Sequence, residues 1–292
     1  MARARSYYPL LCTVAQTDQV LDVHHRPGNV HDSNGAKPFI HRCFSDLRAA
    51  LPTVRAETRM DSAFFNEAIV DGLHTEGIEF TISVPFERFT ELEGIIEGRR
   101  RWRRLNAELD YFQSRWKPKC WGRRYRFVFI RKRVKRQHKE PIQLDLFIPI
   151  EHDHEFKVIV TNKRLSARKV VVFHEGRGSQ EGLIGELKSH CQMDYVPVTT
   201  RVGNQLYLLA AVLAHNLTRE LHMQVDPQAR GTTEKRAPLW RFRELDTLRR
   251  TLIQRAGRII RPGGKPTLSM NTNVVVQDEL LHYLDELNSG AA

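Results

Sequence analysis

The stretch VVFHEGRGSQEGLIGELKSH, residues 171–190, is the starting point for interpreting the chain. An apolar run ends at a glycine-flanked arginine, Arg177, and an amphipathic pattern typical of a helix follows, carrying Glu181 and Lys188. Residues four and seven apart lie within about 40° of each other around an α-helix. A helix that begins by Arg177 would therefore place the three side chains on one stripe. The same spacing is also typical of a solvated helix face, so the rest of the chain has to decide between the two interpretations.

The sequence before this stretch predicts an α/β core. Residues 7–23 have the pattern of two short strands joined by a polar turn, and an amphipathic helix follows at 39–51. A second helix at 65–77 closes on a glycine and leads into the strand IEFTISVP at 78–85. The resulting order β-β-α-β-α-β is typical of an α/β fold.

The second half of the chain continues with fewer strands. Residues 168–173 are predicted as a strand that runs into the opening stretch, and residues 199–219 as a long apolar helix. Residues 226–237 are predicted as a polar linker, and residues 239–260 as a mixture of helix and strand.

Positive charge is concentrated in residues 99–136. This segment holds 16 Lys and Arg against 2 Asp and Glu, whereas the whole chain has a net charge of +12. The positive excess therefore lies entirely in this segment. Residues 98–116 are predicted as a helix, and residues 125–135, 141–150 and 154–163 as antiparallel strands.

The basic segment is also rich in aromatic residues, including three of the four tryptophans. Lys and Arg neutralise phosphates, and aromatic rings stack on bases, so the combination favours nucleic-acid binding. Alternatively, the aromatic residues form the core of a small β domain with a solvated basic exterior. Alternation along a strand permits both. The candidate DNA contacts in this segment are Arg103, Arg104, Trp116, Arg123, Arg124, Arg131, Lys132 and Arg133.

Other function classes receive little support from the sequence. The four cysteines are far apart and form no CxxC pair, which argues against a zinc ribbon or a disulfide framework. The longest apolar run, residues 206–214, is too short to span a bilayer. The histidines of residues 24–31 and 151–154 match no zinc-binding spacing. Residues 261–265 are rich in glycine and basic, but they lack the strand and helix of a P-loop.

Asp61 is a candidate metal ligand. It lies where a predicted strand gives way to a helix, and ligands collect at the carboxyl ends of strands in open α/β sheets. Asp61 or the adjacent Ser62 could equally cap the following helix. Local sequence leaves both roles open.

The spacing Arg177-x3-Glu181-x6-Lys188, after an apolar segment, resembles the Tyr-Arg-Glu-Lys motif of bacterial insertion-sequence DDE transposases of the insertion-sequence-four type. His174 occupies the position of the motif's tyrosine. Several further segments resemble, in the same order, the insertion sequence thirteen-eighty family. They are RPGNVHDSNGA (26–36), RMDSAFF (59–65), FTISVPF (80–86), GSQEGLIGELK (178–188), NQLYLLAAVLAHNLTRE (204–220) and LIQRAGRIIRPGGK (252–265).

The resemblance implies a ribonuclease-H-like core with a β-rich, basic insertion. It implies an enzyme of the nuclease and polynucleotidyl transferase class that cuts and joins double-stranded DNA at element ends and target. Asp61 and Glu181 would be the second and third acidic ligands of a two-Mg²⁺ site, and Arg177 and Lys188 would contact DNA phosphate. Oxygen ligands suit Mg²⁺, which stabilises charge in displacement at phosphorus. A homo-oligomer on DNA, in the bacterial cytoplasm and associated with the nucleoid, is expected.

The resemblance also gives expectations about organisation and completeness. Residues 1–98 would be the first part of the core, 99–165 the insertion, 166–225 the second part of the core, and 226–292 a C-terminal extension. The family's first aspartate lies on a strand ahead of the segment that resembles RSYYPLL, near the start of this sequence. We therefore expect an N-terminally truncated chain without its first strand, with little cleavage activity and marginal folding.

Two other functions stay open on sequence. A non-catalytic DNA-binding remnant of a transposase would keep the basic segment and lose the metal chemistry. A structured RNA-binding protein would use the aromatic residues to stack on single strands. Close placement of Asp61 and Glu181 would favour the catalytic alternative.

Overall fold

The computed structural model describes residues 8–30, 33–133, 154–226, 228–270 and 273–289. The chain forms two compact units. One contains Met1–Val30 together with Gly178–Ala292, and the other contains His31–Arg177. The division of the chain into residues 1–98, 99–165, 166–225 and 226–292 stays a prediction.

The first unit begins with a β-hairpin. Strands β1 (Leu10–Val14) and β2 (Gln19–His24) pair in antiparallel register, as the sequence predicts. Asp18 in the connecting turn has a φ of 54°, a left-handed conformation that Asp tolerates better than most residues. Because the hairpin forms its own two-stranded sheet, it does not join the larger sheet of the other unit.

The second unit contains a six-stranded sheet and four α-helices among its described residues. Its elements in chain order are α1 (Ala36–Ala50), β3 (Glu57–Met60), α2 (Glu67–Thr75), β4 (Glu79–Val84), α3 (Thr90–Glu97), β5 (Arg103–Arg104), β6 (Leu109–Trp116), β7 (Tyr125–Arg133), β8 (His154–Thr161) and α4 (Ala167–Glu175). The predicted strands at 78–85 and 154–163 are confirmed, as is the described part of the strand predicted at 125–135. The predicted strand at 141–150 lies outside the described residues.

The sheet has the order β3-β4-β8-β7-β6-β5. β3 and β4 are parallel, and every other neighbouring pair is antiparallel. The sheet is therefore mixed, with β3, β4, β7 and β5 running in one direction and β8 and β6 in the other. The prediction of an α/β fold is confirmed at this level.

The two faces of the sheet have different cores. On one face, Val128, Ile130 and Ile159 pack against Val170 and Val171 of α4. Alternation along the strands directs Phe127 and Phe129 to the opposite face. There the sheet carries a cluster of aromatic rings, in which Phe112 and Phe129 stack with centroids 4.4 Å apart. Many aromatic residues of the basic segment are therefore core residues.

The predicted helix at 98–116 is wrong, because this segment forms β5, a turn and β6. In the turn, the side chain of Asn106 accepts hydrogen bonds from the backbone N–H groups of Glu108 and Leu109, at 2.9 and 2.8 Å. β6 pairs with β7 along its whole length. That long-range pairing buries Phe112 against Phe129, and such contacts override local helix propensity.

The predicted strand at 168–173 is also wrong, because these residues belong to helix α4. The hydroxyl oxygen of Ser166 caps the helix by accepting a hydrogen bond from the Lys169 N–H. Buried residues recur at helical spacing, at Ala167, Val170, Val171 and His174. Burial against the sheet therefore outweighs the strand preference of the valine-rich sequence.

Helices make up most of the remaining first unit. Its further elements are α5 (Ser179–His190), α6 (Arg201–Val225), α7 (Leu245–Leu248), β9 (Gly257–Ile260), β10 (Thr267–Met270) and α8 (Val274–Ser289). The long helix predicted at 199–219 is confirmed as α6, and the mixture of helix and strand at 239–260 is confirmed. Val20 and Val23 of the hairpin pack against Leu183 of α5 and Leu208 of α6, which form the core of this unit.

Candidate functional site

Asp61 directly follows β3, at the carboxyl end of this strand. β4 is parallel to β3, so its carboxyl end lies at the same edge of the sheet. One Asp61 oxygen accepts a hydrogen bond from the Ala63 N–H at 3.0 Å and caps a 3-10 turn. The following helix α2 has a different cap, Asn66. Asp61 is thus a cap residue, and because a carboxylate has two oxygens, this role leaves capacity for a further ligand.

Glu181 and Lys188 lie on α5, while Arg177 lies in the 3-10 turn Gly176–Gly178 that precedes it. The α-helix begins at Ser179, directly after this turn. Glu181 and Lys188 are exposed on the side of α5 opposite its buried leucines. Arg177 is half-buried.

His174 is a buried polar residue at the end of α4, with 1% of its surface exposed. Its two ring nitrogens lie 2.8 Å from the Ser83 hydroxyl and 3.0 Å from the Thr81 hydroxyl. Burial, followed by the positive charges of Lys157, Arg177 and Arg59, lowers the pKa of His174 to about 3. The ring is therefore neutral at physiological pH and is held by two hydroxyl groups of β4.

Arg59 and Lys157 are cations that sequence reasoning missed. Arg59 donates a hydrogen bond to the Phe173 carbonyl oxygen at 3.1 Å. Desolvation of its ammonium group lowers the pKa of Lys157, although the residue is exposed; the positive charge of Arg177 also lowers this pKa, while Glu175 opposes the shift. Strand alternation places Arg59 and Lys157 on the α4 face of the sheet. Because α4 itself was predicted as a strand, sequence reasoning could not bring these residues together.

The predicted DNA contacts of the basic segment are divided between two opposite edges of the sheet. Arg103 and Arg104 end β5, and Arg131, Lys132 and Arg133 end β7 at the same edge. Arg123 and Arg124 precede β7 and lie at the opposite edge, where β6 ends at Trp116. The single predicted cluster of contacts is therefore two groups, separated along β7 by about 26 Å at ~3.3 Å per residue.

Several of these predicted contacts are engaged within the protein, Trp116 and Arg131 among them. Trp116 is half-buried, and its ring centroid lies 5.6 Å from that of Phe89 and 5.2 Å from that of Phe127. Arg131 forms an ion pair with Asp110 at 2.9 Å and lies over the Trp102 ring. Contact between DNA and these two side chains stays a prediction.

The described ranges contain no group of three His, Cys, Asp or Glu side chains arranged to hold a metal ion. Asp61 belongs to the second unit and Glu181 to the first. Within the same ranges, no helix has both the length and the apolar character needed to cross a membrane.

Comparison with known proteins gives one result that covers nearly the whole sequence. A sequence model described as transposase DDE domain group 1 matches residues 2–291. A search of curated proteins found no match. This family implies a role in DNA transposition, an enzyme class of nucleases and transferases, DNA as the partner and a divalent metal as the cofactor. On the strength of this match, the chain belongs to the transposase DDE domain group 1 family.

Proposed function

We propose that the chain is the DDE domain of a bacterial transposase of the insertion-sequence-four type, close to the insertion sequence thirteen-eighty family. It would bind double-stranded DNA at element ends and target, and act in Mg²⁺-dependent cleavage and strand transfer. The match of the family model to residues 2–291 carries the proposal. The ordered segments described above support the finer assignment, and the mixed sheet is compatible with a ribonuclease-H-like core.

In this proposal Asp61 and Glu181 are ligands of Mg²⁺. Their carboxylate oxygens are the ligand type that Mg²⁺ prefers, and bound Mg²⁺ would stabilise negative charge at the reacting phosphate. Arg177 and Lys188 would hold DNA phosphate, Arg177 by its planar fork and Lys188 as a point charge. We also propose that the protein assembles on DNA as a homo-oligomer and is associated with the bacterial nucleoid.

The described residues alone do not supply a full ligand set. No three potential ligands are grouped among them, and one oxygen of Asp61 is engaged by the Ala63 N–H. Two carboxylates bind a divalent ion less tightly than a complete site does. We therefore expect weak metal binding and little cleavage by this chain.

Metal binding tests the proposed ligands without depending on activity. Calorimetric titration with Mn²⁺, a probe for the Mg²⁺ site, should show weak binding that Asp61→Asn or Glu181→Gln each reduces at least tenfold. Glu97→Gln, an exposed carboxylate at the end of α3, is the matched control and should bind as the unmodified chain does. Equal Mn²⁺ binding by all four proteins would remove the two residues from the metal site.

Nicking of supercoiled plasmid DNA in Mg²⁺ tests the expectation of low activity. We expect the unmodified chain to nick no faster than the Asp61→Asn variant. Rapid nicking that disappears in Asp61→Asn and Glu181→Gln would contradict the expected inactivity and support full catalytic competence.

A non-catalytic DNA-binding protein is the second candidate function. Capping of the 3-10 turn gives Asp61 a structural role that needs no metal. This candidate predicts that duplex DNA binds with the same affinity in EDTA and in Mg²⁺, and that Asp61→Asn leaves the affinity unchanged. A clear increase in affinity with Mg²⁺, lost in Asp61→Asn, would favour the catalytic candidate.

A further inference from the structure

The topology of the six-stranded sheet brings the ends of four strands to a single edge. β7 ends at Arg133, directly opposite the start of β8 at His154. The antiparallel pairs β6–β7 and β5–β6 place the start of β6 and the end of β5 at that edge as well. β3 and β4 run in the same direction as β7 but end earlier, because Met60, Ile82, Val160 and Phe127 lie in one row. Asp61 is therefore level with the middle of β7, ~16 Å short of its end at ~3.3 Å per residue.

Among the described residues, five exposed cations lie at this edge, which we call the basic edge. They are Arg103, Arg104, Lys132, Arg133 and Lys157. The register brings them close together, since Arg103 is opposite Tyr111, Tyr111 is opposite Ile130, and Ile130 is opposite Lys157. Lys132 lies two residues further along β7 on the same face, and Arg104 and Arg133 lie on the other face. The cations therefore surround the strand ends on both sides of the sheet.

Cations of the basic edge make few contacts with protein carboxylates. Among the described residues, none of the five forms an ion pair within 4.0 Å, although Lys132 lies across from Glu155 in the neighbouring strand. A positive side chain that no carboxylate neutralises is available to neutralise phosphate, with release of counterions.

The opposite edge differs in this respect. Lys119 pairs with Glu91 at 3.3 Å, and Arg123 pairs with Asp71 at 3.6 Å. Arg126 donates hydrogen bonds to the carbonyl oxygens of Lys163 and Leu165. Several cations of this edge are thus engaged within the protein.

The dimensions of the basic edge suit a DNA backbone. The four strands β8, β7, β6 and β5, separated by ~4.8 Å, give an edge of about 14 Å. A duplex rises ~3.4 Å per base pair, so about four base pairs would lie along the edge.

We propose that the backbone of duplex DNA runs along the basic edge, and that the opposite edge does not contact it. This inference rests on the proposed function, which it deepens by selecting Arg103, Arg104, Lys132 and Arg133 from the predicted contacts and adding Lys157. Phosphate contacts position a protein on DNA without reading its sequence. The basic edge would therefore hold duplex DNA of any sequence.

Two variants with equal loss of charge test this inference. The edge variant combines Arg103→Gln, Arg104→Gln, Lys132→Gln and Arg133→Gln. The control variant combines Arg115→Gln, Lys119→Gln, Arg164→Gln and Arg168→Gln, four exposed cations of the opposite edge. Each variant loses four positive charges, so any difference between them reflects where the charges lie. Equal thermal unfolding midpoints would show that both variants keep the fold.

The readout is affinity for a 20-base-pair duplex, measured by fluorescence anisotropy at several salt concentrations. The slope of log K against log salt should become less steep by about 3 to 4 in the edge variant, since each phosphate contact contributes ~0.9. Its affinity should fall at least tenfold below that of the control variant.

The possible results separate failure of this inference from failure of the proposed function. If the unmodified chain binds the duplex but both variants weaken binding equally, or the control weakens it more, the basic edge is not the DNA surface and the proposed function still stands. If the unmodified chain binds no duplex at low salt, both are overturned.

Discussion

At the scale of single residues, the most consequential side chain of the first unit is Arg219. It is buried on α6 with 1% of its surface exposed. Its guanidinium group donates hydrogen bonds to the carboxylates of Asp18 in the hairpin turn and Glu186 on α5. Burial raises the pKa of Asp18, whereas the charge of Arg219 lowers it and that of Glu186 raises it. One buried cation thus joins three elements of this unit.

Replacement of this cation should destabilise the protein strongly. Arg219→Met leaves Asp18 and Glu186 without their shared partner, and breaking a buried ion pair costs about 3–5 kcal/mol. The free energy of unfolding, measured in urea at pH 7, should fall by that amount. The deficit should shrink at pH 4, because burial raises the pKa of Asp18 and the variant lacks the positive charge that opposes this shift.

Arg250→Met provides the matched control. Arg250 pairs with Asp246 at 2.6 Å, but most of its side chain is exposed, and exposed pairs contribute about 0–1 kcal/mol. Equal losses of stability in the two variants would contradict the buried role of Arg219.

His174 should make stability depend on pH. Its pKa is about 3 in the folded protein, and an unfolded chain has a histidine pKa of about 6.5. The unfolded state therefore binds more protons between these values, and stability is lost as pH falls from about 6.5 towards 3. His174→Gln should remove about 2 kcal/mol of the stability difference between pH 7 and pH 5, measured by urea unfolding at both pH values.

The comparison with an exposed histidine makes this prediction specific. His41→Gln removes a largely exposed ring that contacts Glu76, and we expect its pH dependence to resemble that of the unmodified chain. If His174→Gln shows the full pH dependence of the unmodified chain, the buried ring is not the group that responds.

At the scale of elements, the sequence predicts those whose signals are local. Hairpin β1–β2, strand β4 and helix α6 follow from alternation or helical periodicity, and the structure confirms them. β6 could not be predicted in this way, because its extended form depends on pairing with β7, which follows it in the chain. α4 was misassigned because its valines have high strand propensity, whereas its helical burial pattern becomes visible only against the sheet.

The N-cap of α4 tests why this valine-rich segment is helical. Ser166→Ala removes the hydroxyl that accepts the Lys169 N–H, and loss of an N-cap costs about 0.5–2 kcal/mol. Ser189→Ala is the control, since its hydroxyl only donates to a carbonyl within α5. Urea unfolding should show a larger loss for Ser166→Ala, and equal losses would mean that sheet packing alone holds α4.

The candidate site shows the same limit of sequence reasoning. Position alone predicted that Asp61 ends a strand, and the structure confirms that location. Arg59 and Lys157 could not be predicted as neighbours of His174, because β3, β8 and α4 meet only through the strand order of the sheet. The segments that resemble the transposase family indicated the candidate site residues. They did not indicate the placement of Arg59 and Lys157 near His174.

At the scale of the whole molecule, charge is distributed very unevenly. The positive excess of the chain lies in residues 99–136, and within the described part of this segment the predicted DNA contacts are divided between two edges of one sheet. Carboxylates engage Lys119 and Arg123 at one edge, whereas the basic edge keeps five exposed cations. This asymmetry connects the composition of the chain with DNA as the partner of its family.

The salt dependence of duplex DNA binding by the unmodified chain tests the central claim most directly. We predict that log K falls with log salt with a slope of about −4 or steeper, since each phosphate contact contributes ~−0.9. A slope near zero, or no binding at low salt, would contradict the claim that this transposase domain engages DNA through its basic edge.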